Sequence, residues 1–170
     1  MCIRDSPIAI LHRLRDASGP KETVGLSDHV IEDFCNSDAD LVKAIHEAEQ
    51  VHRALMEEFG QDVMSLPEPE LIKHLQSDYV NFYSAATVNP YIPIAGRGPW
   101  LVTVCGAVLH DNGGYGMLGS GHGPSSVIDA MSENWVMANV MTASFSQKRL
   151  GNRLRKELGH TRESLSLIHI

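Results

Sequence analysis

Four places along this chain hold residue types whose spacing could do chemistry. Gly114-Tyr-Gly-Met-Leu-Gly119 fits G-x-G-x-x-G, the run in which glycine backbone comes close to a pyrophosphate and a helix N-terminus receives its charge. Glu49-Gln-Val-His52 has the Glu-x-x-His spacing with which di-iron bundles aim two ligands from one helix face. Arg97 stands between Gly96 and Gly98, and His122 sits inside Gly121-His-Gly-Pro124. Either side chain could face a ligand. The plainer readings are a turn-flanking surface arginine and a histidine that fixes its own loop by hydrogen bonding to backbone.

Each motif must be weighed against its context. A dinucleotide fold starts from a buried central strand and opens its helix inside the glycine motif. Here the strand before Gly114 reads as the second arm of a hairpin, and the next helix starts only at Pro124. A di-iron site needs a second Glu-x-x-His and two further glutamates on facing helices. None is evident, so Glu49 and His52 read as a solvent-exposed pair. His46 and His52 do not share a helix face. Neither G-x-S-x-G nor a P-loop occurs, which removes the sequence support for nucleophilic hydrolysis and for nucleotide phosphate binding. Lys148, Arg149, Arg153, Arg155 and Lys156 share a helix with a leucine stripe and read as its solvated face.

The elements that would carry these residues follow from periodicity. Residues 7–37 lack a sustained period and hold Gly19, Pro20 and Gly25, which predicts a loose lead-in with one short helix near Ile8 to Leu14. From Asp38 the residues Leu41, Ala44, Ile45, Ala48, Val51, Leu55 and Phe59 recur at helical spacing, with Ser37 or Asp38 as N-cap and Gly60 as the stop. Ser65 with Glu68 predicts a capping box and a second helix that buries Leu71, Ile72 and Leu75 and runs on towards Tyr83. Asn89-Pro90 ends it.

Trp100 to Val104 and Ala107 to Asp111 are β-rich runs that read as a hairpin turning at Cys105-Gly106, apolar on both faces and therefore covered. Pro124 predicts the start of a helix carrying Val127, Met131, Trp135 and Val136. Leu150, Leu154 and Leu158 predict a final helix ending at Gly159.

Composition excludes several function classes. The chain has 170 residues, 43% of them hydrophobic, enough for one domain with a core. A net charge of −7 argues against nucleic acid or an anionic membrane as partner. The longest apolar runs fall short of the ~20 residues a membrane helix needs. Cys2, Cys35 and Cys105 form neither a disulfide framework nor a zinc-ligand spacing, so a reducing, cytoplasmic setting and no metal are expected. Met1 to Ser6 and Ser164 to Ile170 differ from their neighbours and read as non-native ends, which makes the chain a piece of a longer protein.

Taken together, Gly98-Pro-Trp-Leu-Val-Thr-Val-Cys-Gly-Ala-Val-Leu-His-Asp111, then Gly113-Gly-Tyr-Gly-Met-Leu-Gly-Ser-Gly-His122, then a helix, resembles the N-terminal part of class III pyridoxal-phosphate aminotransferases. Gly106, Asp111, Gly121 and His122 match that family's hairpin and its Gly-His-x-His-Pro turn in order, over roughly Asn89 to Thr161. Thr103 and Cys105 stand where the family usually has acidic residues. Asn112 replaces an aromatic, and the Gly-His turn is one residue short and lacks its second His.

The resemblance implies an α+β piece of a fold type I enzyme, without the large α/β domain. Residues 38–88 would be a helical N-terminal extension, and 89–163 the hairpin, glycine-rich loop and following helices. The implied reaction moves an amino group from an amine or ω-amino acid to a 2-oxo acid, with pyridoxal phosphate as electron sink, in a homodimer. Tyr115 would line the substrate entrance, with Gly114 and Gly116 letting the backbone approach. His122, Gly121, Gly106 and Asp111 would shape the loop. The Schiff-base lysine and most of the phosphate cradle would lie downstream, so this stretch alone is expected to hold no catalytic residue, to be inactive and to bind the cofactor weakly or not at all. A helical interaction module, with residues 38–83 as partner surface and the glycine loop purely structural, is the competing expectation. A dinucleotide-binding enzyme is the third.

Overall fold

The computed structural model describes residues 6–77, 80, 91–112, 119–134 and 142–158. In chain order these form helices α1 (Pro7–Ala17), α2 (Asp28–Cys35), α3 (Ala39–Phe59), α4 (Gln61–Met64) and α5 (Glu68–Leu75), strands β1 (Pro93–Arg97), β2 (Trp100–Thr103) and β3 (Val108–His110), and helices α6 (Ser125–Ser132) and α7 (Phe145–Leu158). The fold is α+β, with one three-stranded antiparallel sheet in the order β1-β2-β3. The chain divides into two units, Met1–Met131 and Ser132–Ile170.

The central helix forms for local reasons. The Asp38 carboxylate accepts the Asp40 and Leu41 amides at 2.9 and 3.4 Å and caps α3, and Gly60, at φ +82°, closes it. Its inward face is Leu41, Ala44, Ile45, Ala48 and His52. Val51 and Phe59, expected on that face, are exposed, because the buried stripe follows 41, 44, 45, 48 and 52 around the helix.

The sheet packs on that face. Trp100, Val102 and Val108 join Ile10, Leu11, Leu14, Ile31, Leu41, Ala44, Ile45 and Ala48 in one buried cluster. β2 is buried along its whole length, so the hairpin is covered as its composition predicts. It turns with Gly106 at φ +66°, the Gly106 amide bonding to the Thr103 carbonyl at 2.9 Å. A Cβ there would also sit 2.9 Å from the Leu11 carbonyl oxygen, so both backbone angle and space require glycine.

Several expectations are corrected. Residues 7–37 are not a loose lead-in: α1 and α2 bring Ile10, Leu11, Leu14 and Ile31 into the core. The short helix expected near Ile8 to Leu14 is present as α1, whereas α2, eight residues long, shows too few turns to register as periodic, yet burial of Ile31 helps to hold it. Ser6, assigned to a non-native end, caps α1 by accepting the Ala9 amide. The shared core also runs across the expected boundary at residue 88.

The capping box at Ser65 does not form. The Ser65 hydroxyl donates to the Gln61 carbonyl at 2.7 Å, and Glu68 turns inward to accept the Glu22 and Thr23 amides and the Thr23 hydroxyl at 2.7–2.9 Å. Fully buried, Glu68 ties the 20–23 segment to α5. The helix starts instead at Glu68, as α5, after the separate short α4, and ends at Leu75, which is exposed; Tyr83 lies outside the described residues. Strand β1 escaped periodicity because two of its five residues sit beside a bulge between Pro93 and Ala95. Pro124 acts one position earlier than expected, its carbonyl accepting the Val127 and Ile128 amides at the head of α6.

Candidate functional site

The residues singled out at Arg97, Asp111, Gly121 and His122 meet at the turn between β1 and β2. Gly98 and His122 exchange backbone bonds, Gly98 N–H to the His122 carbonyl at 3.0 Å and His122 N–H to the Gly98 carbonyl at 2.8 Å. Gly121 reaches that pairing at φ +75°, and a Cβ on it would lie 2.7 Å from the Gly98 oxygen. The His122 side chain donates from Nε2 to Asp111 Oδ2 at 2.9 Å. Asp111 is itself fastened by its amide to the Pro99 carbonyl at 2.7 Å. Residues 111 and 122 therefore hold the two ends of the glycine-rich stretch together.

Arg97 adds a second fastening. Its Nη1 donates to the Gly123 carbonyl at 2.7 Å, while Nε meets both Glu47 carboxylate oxygens at 3.0 and 3.1 Å and Nη2 also donates to Glu47. The hydrogen bonds and charge of Glu47 raise the Arg97 pKa further above its ordinary value. Arg97 is thus committed to protein partners, and Glu47, on the rim of α3, is the residue sequence reasoning missed. Its helical spacing marks it only as polar. Nothing local marks it as the partner of a residue fifty positions on.

Tyr115, Gly114 and Gly116 lie outside the described residues, as does most of the G-x-G-x-x-G run. Around that run, β3 is the outer strand of an antiparallel hairpin, and α6 begins only at Ser125. Neither arrangement is what a dinucleotide crevice uses.

The Glu-x-x-His pair is corrected. Glu49 is bound by Arg13 through Nε at 3.2 Å. His52 is only 5% exposed, and desolvation lowers its pKa, so it is held neutral. Its Nε2 lies 3.2 Å from the Ser18 hydroxyl, but that hydroxyl donates to the Val104 carbonyl at 2.9 Å. The serine proton is aimed away from the imidazole, so the pair is a buried structural link and not an activated nucleophile.

Cys105 is likewise inert at neutral pH, because burial, with Glu68 adding to it against Lys21, pushes its thiol up to about 11. Among the described residues no group of three His, Cys, Asp or Glu is placed to hold a metal ion. No helix among them is long and apolar enough to cross a membrane.

Pyridoxal phosphate, implied by the resemblance, needs a lysine beside its ring and donors for its phosphate. All five lysines, Lys21, Lys43, Lys73, Lys148 and Lys156, are exposed on the surface. Among the described residues none is positioned for a Schiff base, and the one arginine at the site is already engaged by Glu47. The described residues at this turn do not form a seat for the cofactor.

Comparison with protein-family models, with curated proteins and with solved structures finds no match to this chain.

Proposed function

We propose that this chain is the N-terminal part of a class III pyridoxal-phosphate aminotransferase. In this reading the whole protein moves an amino group from an amine or ω-amino acid to a 2-oxo acid. The observation that carries the proposal is the pairing of Asp111 with His122 at 2.9 Å. These two of the family-matched positions are separated by the glycine-rich stretch, yet they close it at its base, as a loop that lines a substrate entrance would need. Gly106 and Gly121 support it from the hairpin turn and from the Gly98 pairing.

The chain's own part in this reading is positional. Its strands and α3 form a platform, and Asp111 and His122, on either side of the stretch bearing Tyr115, are fastened to it. The cofactor would be held elsewhere, and a homodimer with shared sites belongs to the same proposal. The competing interaction-module reading would have to use other faces of residues 38–83, since the inward face of α3 packs against the sheet.

The test is to express the reading frame that surrounds this chain, add pyridoxal phosphate, and assay transfer from an ω-amino acid to a 2-oxo acid. The expected result is activity and visible cofactor absorbance in the longer protein, and neither in the 170-residue chain. A frame whose product carries no transferase activity with any primary amine overturns the assignment. Strong visible absorbance from the chain alone overturns its division of labour.

A further inference from the structure

We propose that Arg97, Glu47, Asp111 and His122 act as one two-point clasp that pins residues 121–123 to the β1–β2 turn, with His122 as its positioning residue. The inference stands apart from the amino-transfer reading, because it concerns how the backbone is held and not what reacts there.

The geometry has three parts. Backbone pairing of Gly98 with His122 is an isolated bridge, with no further ladder bonds beside it among the described residues. An isolated bridge between two glycine-rich segments is weak, since glycine loses the most conformational freedom when it is ordered. Two charge-assisted contacts straddle it: His122 to Asp111 on one side, and Arg97, braced by Glu47, to the Gly123 carbonyl on the other. Hydrogen bonds of that kind are stronger than neutral ones, and here each begins on a side chain whose own backbone belongs to the bridge or lies next to it. Loss of either contact should therefore release the bridge that the other also needs.

The close fit of Gly96 against His122 supports the same unit. A Cβ on Gly96 would come 2.9 Å from the His122 Cβ, so the imidazole stem is seated directly on β1.

The experiment is amide hydrogen exchange by NMR on the full chain, read at Gly98 and His122, whose amides form the bridge, with Ile45 and Val102 as core references. His122→Ala should lower protection at both bridge amides about tenfold, the effect of losing one such hydrogen bond, and leave the core references unchanged. His122→Gln places an amide donor near the position of Nε2 and should restore most of that protection. Arg97→Gln should lower the same two amides, and the Arg97→Gln/His122→Ala double variant should lose clearly less than the product of the two single effects.

Unchanged protection in His122→Ala, a Gln variant as poor as Ala, or fully multiplicative losses in the double variant would each overturn the clasp. If His122→Ala also disturbs the core references, Asp111→Ala removes only the acceptor side chain and is read in the same way.

Discussion

Helices α3 and α7 carry apolar stripes of the same kind in sequence, and they end in opposite situations. On α3, Leu41, Ala44, Ile45 and Ala48 are completely buried. On α7, Leu150 is 48% exposed and Leu154 half-buried. Both stripes follow from helical spacing, so spacing alone does not decide burial. What differs is what each stripe meets within its own unit: α3 has a sheet and two further helices to pack against, whereas α7 is shorter and strongly basic. A stripe states that a helix can be amphipathic. Only a partner turns that into stability.

Substitutions should separate the two helices, and the largest effect belongs to the core. Ile45→Ala should cost about 2–5 kcal/mol in urea unfolding, through lost transfer energy and the cavity left behind. A cost near that of a surface change would show that the sheet does not rest on α3. Asp38→Ala comes next, at roughly 2–4 kcal/mol, because this carboxylate both caps α3 and accepts the buried Trp100 indole N–H. That indole bond, 2.8 Å long, is the main reason the Asp38 pKa is lowered. Asp38 therefore contributes stability above the unfolded carboxylate range and loses it as the pH falls into acid. An unchanged acid limb in Asp38→Ala would contradict the assignment.

Gly106→Ala should cost about 1–3 kcal/mol, from the left-handed backbone and the crowding by Leu11. Near-native stability would mean that the turn tolerates another geometry. His52 adds a pH dependence of known sign. Folding holds it neutral by burial, while the unfolded chain binds a proton near its ordinary pKa of about 6.5. Its stabilising contribution is therefore present above that value and declines as pH falls through it. The urea midpoint of the wild type should drop more steeply than that of His52→Gln between roughly pH 7 and 5, and parallel curves would assign the acid sensitivity to other groups. The smallest effect belongs to α7, where Leu150→Ala should stay within about 0.5 kcal/mol. A larger loss would reveal packing that this stripe does not show here.

Much of the fold was legible because it is local. Asp38, the spacing from Leu41 to Ala48, and Gly60 lie within one stretch and each acts on its neighbours. The hairpin was legible for the same reason, since two apolar runs and one glycine suffice to turn it. The candidate site was only partly legible. His122 is expected to bond backbone, whereas its imidazole bonds the Asp111 carboxylate; Asp111 is expected only as a fellow loop-shaping position, and Glu47 not at all.

Where α3 begins and ends and where the hairpin turns can be read from the residues alone, because caps, helical periods and glycine angles involve residues in contact along the chain. Only the tertiary structure decided that residues 7–37 belong to the core, that Glu68 and His52 face inward, and that Arg97, Glu47, Asp111 and His122 gather at one turn. Burial and charge pairing join residues far apart in sequence, and such a partner leaves no trace in the periodicity around either residue.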